Sequence, residues 1–148
     1  MDAPKPPADH YVWLGRVMSA CAMLELQIGM IGWAAKTGEA WTEDWAKVAG
    51  VPGAAWRLCV DALPVLDPEL ASAVQRVLDE ALPVRTERNK FSHAVFTLDP
   101  TRAPDDQWVL RSPRDVEFRP ITAAQGGALI RMANRLSQEA AMLRFKAA

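Results

Sequence analysis

With 148 residues, half of them apolar, the chain can bury a full core and lies near the usual size of one domain. Its 17 lysines and arginines against 18 acids leave a formal charge of −1, which excludes recruitment of nucleic acid or an anionic membrane by overall charge and makes any such contact depend on a local basic site. The two cysteines, Cys21 and Cys59, lack CxxC or Cys/His spacing, so they exclude a zinc-ligand set and a disulfide framework and read as reduced core residues.

The opening MDAPKPPADHY carries prolines and an acid where a secretory signal has a basic segment running into an apolar one, so a cytoplasmic location is expected. Residues 1–8 read as a flexible lead to a single domain over 1–148, and His10 reads as solvated. Residues 9–36 predict a long helix. Val17, Cys21, Leu24, Ile28, Ile31 and Ala35 repeat at four-three spacing, and Met23, Leu26, Met30 and Trp33 follow the same rhythm on another side, so more than one face is covered, by the core or by a dimer partner. Residues 12–35 are the one stretch to weigh as a membrane span, and Arg16, Glu25 and Gln27 count against it, because a charge at mid-bilayer costs about 2.5–3.5 kcal/mol.

Thr37-Gly38 ends this helix, and Thr42 before Glu43 and Asp44 reads as the cap of a short helix through Val48. Gly50-Val51-Pro52-Gly53 breaks the chain, and another short helix spans 54–63 up to Pro64. Asp67-Pro68-Glu69 is a start signal with Asp67 as N-cap, opening a helix to about Ala94 that Pro83 should kink or briefly break. Val95–Leu98, 107–111 and 116–119 read as two or three short antiparallel strands around the loop DPTRAPDD. Thr122 with Gln125 is a capping box for a last helix to about Phe145, with the stripe Leu129, Met132, Leu136, Ala140 and Leu143. The fold expected is therefore mainly all-α, a bundle of four to five helices with a small hairpin before the last one. The six tryptophans fall on apolar segments and read as core or interface anchors.

The chemistry concentrates in ERNKFSHAVF, residues 87–96. Leu70, Val74, Val77, Ala81, Val84, Arg88, Phe91 and Val95 form one four-three row, so Arg88 falls on the buried stripe. A guanidinium there requires a partner carboxylate, a wet cleft or an anionic ligand. Glu25, in the apolar middle of the first helix, is the best candidate to pair with Arg88 or to orient His93. Asn89 and His93, four apart, share the next face. Arg88 and His93 lie about 140° apart on a regular helix, a gap that arginine's reach, the Pro83 distortion or a second protomer would have to close.

An arginine, a polar residue and a histidine as Arg88-Asn89-x-x-x-His93, late on a long helix of an all-helical chain of this size, resemble the motif of the HEPN superfamily (higher eukaryote and prokaryote nucleotide-binding domains). The local match covers about six residues. The helix order and the long first helix extend the likeness loosely over most of the chain. The resemblance implies a helical bundle that forms a homodimer with the two motifs facing one cleft, and a metal-independent endoribonuclease of toxin or defence type acting on RNA. It makes His93 the general acid/base, Arg88 the phosphate and transition-state contact and Asn89 a positioning residue. Beside these, Glu25, chosen on burial cost, and Arg85 and Ser92 are expected in support. No cofactor, metal or membrane is implied, and the partner class is an antitoxin or regulatory protein. The alternative is a non-catalytic dimerisation or binding module on the same fold within a larger assembly. Two features depart from the family. Val95 stands where members paired with a nucleotidyltransferase antitoxin often carry a modified tyrosine, which argues against that partner, and charge is nearly balanced over 85–119, poor footing for a large RNA.

Overall fold

The computed structural model describes residues 4–51 and 53–148. Residues 1–3 of the expected lead and Pro52 of the expected break lie outside the described residues. The first helix, α1 (Ala8–Thr37), starts directly after Pro7 and stops at Gly38, whose φ of 76° costs glycine nothing and whose N–H donates to the Ala34 carbonyl at 2.8 Å. His10 therefore belongs to a helix, and its ring meets Phe96 edge-on at 5.6 Å instead of standing free in solvent.

Of the first expected stripe, Val17, Cys21, Leu24, Ile28 and Ile31 are buried, with Ala34 in place of Ala35; of the second, only Met30 is fully enclosed and Met23 is exposed. By length and composition α1 could cross a bilayer, but half of its apolar window is buried inside the bundle, where it serves as the core helix.

The helix α2 (Ala46–Ala49) starts later than expected, because the Thr42 hydroxyl accepts from Asp44 N at 3.0 Å in a local turn instead of capping a helix. Next, α3 (Ala54–Ala62) crosses α1 backbone to backbone. A Cβ on Gly32 would come within 2.4 Å of the Leu58 carbonyl, so only glycine permits the approach.

The motif helix α4 (Pro68–Ser92) has the expected start, with the Asp67 carboxylate accepting from Leu70 N at 3.0 Å. It runs through Pro83 without a break. Pro83 lies on the exposed side, and Val77, Leu78, Ala81 and Val84 hold the helix in the core on both sides of the lost donor.

Three strands follow, β1 (Val95–Leu98), β2 (Trp108–Arg111) and β3 (Pro120–Ile121), antiparallel in that order, with Phe96 opposite Leu110 and Leu110 opposite Ile121. The strand expected at 116–119 is instead a turn. The Asp115 carboxylate accepts from Glu117 N at 3.1 Å and Arg119 N at 3.3 Å, which curls the chain and leaves Val116 wholly exposed.

The last helix, α5 (Ala123–Ala147), opens with the expected capping box: Thr122 Oγ1 accepts from Gln125 N at 3.2 Å, and Gln125 Oε1 accepts from Thr122 N at 2.7 Å. Met132, expected inside, is 42% exposed, and Ala133 takes the buried position. Trp13 against Gly126 and Arg144 bonded to Gln27 place α5 alongside α1 in the same direction; Glu80 bonded to Arg135 sets α4 against α5. The result is a mainly helical bundle around one continuous core, with a small sheet before the last helix.

Candidate functional site

Val84 and Phe91, the nearest stripe neighbours of Arg88, are both buried, so its guanidinium leaves the core only at its tip. There it forms a close ion pair with Glu25 of α1. The cost of burying an unpaired charge called for this carboxylate, and the side chains keep 27% and 38% of their surface. Glu25's other expected role is not seen, since His93 has a different neighbour.

The pair sits in a cleft of about 470 Å³ between α1, the start of α3 and α4, which also takes in Arg85, Asn89, Val51 and Trp56. Arg85 stacks over the Trp56 ring at 5.3 Å and has no carboxylate partner among the described residues. Because Glu25 neutralises Arg88, Arg85 supplies the cleft's net positive charge. Below them Cys21 is held protonated, its thiol pushed up to about 11 by burial, with Arg88 pulling it down and Glu25 up.

His93 lies elsewhere. The helix ends at Ser92, two residues earlier than a run to Ala94 would give, because Ala94 N turns back to the Phe91 carbonyl and Val95 enters β1. His93 is thus the residue that caps α4, with φ −104° and ψ 3°, and its ring is exposed. Its Nε2 is 3.3 Å from Nη2 of Arg114, in the turn between β2 and β3. An arginine only donates, so in this contact the imidazole nitrogen is the acceptor. Ser92 is spent on a local bond from its hydroxyl to the Asn89 carbonyl at 3.1 Å.

Within one chain, then, the structure brings together Glu25, Arg85, Arg88 and Asn89, and separates them from His93. Asn89 links the two places. Leu82, Thr86, Asn89 and His93 follow four-three-four spacing along α4 and its cap and all four are exposed, a face that no other helix or strand among the described residues covers, only the Arg114 side chain meeting its end. Arg114 and Trp56 are the neighbours that sequence reasoning missed; neither lies near the motif in the chain. Among the described residues, no three His, Cys, Asp or Glu side chains gather as metal ligands would. No protein-family model, curated protein or solved structure matches the chain.

Proposed function

We propose that this chain is a HEPN-like domain that pairs as a homodimer through the bare face of α4 and cleaves RNA without a metal, as a cytoplasmic toxin or defence effector held in check by an antitoxin or regulatory protein. The observation that carries the reading is that uncovered face, on which Asn89 and His93 both meet solvent, with Arg88 on the neighbouring side of the same helix. A two-fold axis through it would bring two copies of each side chain to one seam.

The chemistry suits the groups. His93 takes the proton of a ribose 2′-hydroxyl as that oxygen attacks the adjacent phosphorus; the P–O5′ bond then breaks and the imidazolium returns the proton to the departing 5′-oxygen, giving a 2′,3′-cyclic phosphate and a 5′-hydroxyl. Arg88 stays charged throughout and matches two phosphate oxygens, and Glu25 takes only Nη2 of the fork, leaving its other donors without a partner among the described residues. Incubating the purified protein with mixed RNA in EDTA tests this. Cleavage that disappears in His93→Ala and Arg88→Ala, with both variants folded and dimeric, supports the reading; intact RNA with wild type refutes it.

One observation favours the second reading, a non-catalytic dimerisation or binding module. Arg88 already has a carboxylate within its own protomer and needs no phosphate to balance its charge. Co-purification of a partner protein with a wild type that leaves RNA intact decides for it.

A further inference from the structure

From the same site's geometry we infer that His93 and Arg114 form a phosphate-binding pair on one protomer, in which Arg114 caps the imidazole Nε2 until a phosphate draws the guanidinium away. The chemical meaning of the pair rests on the ribonuclease reading, but its existence as an anion site can be tested without it. The motif supplies His93 with no guanidinium of its own, because Arg88 projects from another side of α4 and is engaged by Glu25. Arg114, at 3.3 Å, is the cation that the histidine meets.

Arg114 is held ready. The fully buried Ser112 accepts from Arg114 N at 3.2 Å, and the next residue, Asp115, donates its N–H to the Ser112 carbonyl at 3.0 Å. Arg111 ties down the far end of the turn by donating to the Phe118 carbonyl at 2.8 Å. The carboxylates of the turn, Asp115 and Glu117, pair with Arg119, and Lys90 at the end of α4 pairs with Glu87. Arg114 is left with no carboxylate among the described residues, exposed, and aimed at an acceptor that uses one of its five donors.

An N–H donating to a neutral ring nitrogen is a weaker use of a guanidinium than a fork onto phosphate oxygens. A phosphodiester reaching this corner therefore competes for Arg114 and frees Nε2, the atom that must take the 2′-hydroxyl proton. The carbonyl end of α4 opposes an anion here, but that effect is confined to the last turn and is weaker than a charge-assisted bidentate pair.

The chain has two histidines, so each imidazole gives its own resonances, with His10 as the internal control. ¹⁵N-histidine-labelled protein is titrated with inorganic phosphate and then with a short 2′-deoxy oligonucleotide, which has no attacking hydroxyl and is not cleaved. Saturable movement of the His93 signals in wild type, weakened at least about tenfold in folded Arg114→Gln, is the expected result, on the scale of losing a charge-assisted bond. His93 signals that stay still, or that move equally in both proteins, overturn the pair whether or not RNA is cleaved. On RNA, Arg114→Gln should lose about 100-fold in cleavage and recover part of it with added guanidinium. Full cleavage by this variant while His93→Ala is dead removes Arg114 from the reaction and leaves the ribonuclease reading standing.

Discussion

Replacing Glu25 by glutamine removes one negative charge with almost no change in shape, and it separates a structural arginine from a functional one. Exposed ion pairs contribute about 0–1 kcal/mol, whereas breaking a buried pair costs about 3–5 kcal/mol. With 27% and 38% of its two side chains open to water, the Arg88–Glu25 pair belongs near the lower range, at about 1 kcal/mol after screening. For a chain of this length that is about 3 °C in Tm. The substitution also frees the charge of Arg88 beside Arg85, so the cleft gains one net positive charge. If Arg88 faces phosphate, Glu25→Gln should bind a single-stranded oligonucleotide more tightly at low salt, and log K against log salt should steepen by about 0.7 for the added contact. Thermal melts and fluorescence anisotropy over a KCl series measure both quantities. A lower Tm with an unchanged salt slope would show that Arg88 serves the fold alone.

Gly15→Ala and Gly32→Ala place the same methyl on the same helix with opposite expected results. Nothing lies within 4 Å of a Cβ at Gly15, so the helix gains about 0.5–1 kcal/mol, whereas at Gly32 the contact with the Leu58 carbonyl should outweigh that gain and leave a net loss of about 1–3 kcal/mol, read from urea melts. Leu82, 53% exposed on the bare face of α4, contributes little to the folded monomer; if the proposed homodimer forms through this face, Leu82→Glu should leave Tm within about 2 °C and yield monomer in sedimentation equilibrium. Burial pushes the thiols of Cys59 to about 12 and Cys21 to about 11, from an ordinary 9.0. Above pH 9 the unfolded thiols ionise while the folded ones stay protonated, so the unfolded state binds fewer protons and stability falls as pH rises toward 11; urea melts of Cys21→Ala/Cys59→Ala should lack that part of the loss.

What could be read from the chain was what local physics decides. The three long helices were legible because their apolar rows recur every three or four residues and two carry explicit start signals, Asp67-Pro68 and Thr122 with Gln125. The Glu25–Arg88 pair was legible for a different reason: a charge on a buried stripe demands a partner, and the middle of α1 holds a single carboxylate. Pro83 misled because its effect depends on which side of the helix it faces, something set by packing and not by its neighbours in sequence. The third strand was misplaced because Val116 looked like a strand residue, while Asp115 gathers the following N–H groups into a turn and delays pairing to Pro120. Arg114 could not be found at all. It meets His93 across 21 residues, through a turn whose course depends on the buried Ser112 hydroxyl.

The division of the motif between two sides of α4 also decides how a dimer must work. Arg88 and His93 are about 7.5 Å apart along the axis and about 140° around it, and Glu25 draws the arginine further from the histidine. If one phosphate is to meet both, the arginine has to come from the partner, and each active site is then His93 of one subunit with Arg88 of the other. Mixing folded His93→Ala and Arg88→Ala proteins after dissociation tests this. Each heterodimer regains one intact pair and keeps one doubly broken pair, so random reassociation, half heterodimer with one working site of two, should restore about a quarter of wild-type cleavage. If each site instead draws both residues from one subunit, every site in the mixture lacks a group and no activity returns. Recovery near a quarter would assign Arg88 to its partner's substrate and leave Arg114 as the guanidinium that His93 meets at home; no recovery would overturn the shared site across the seam.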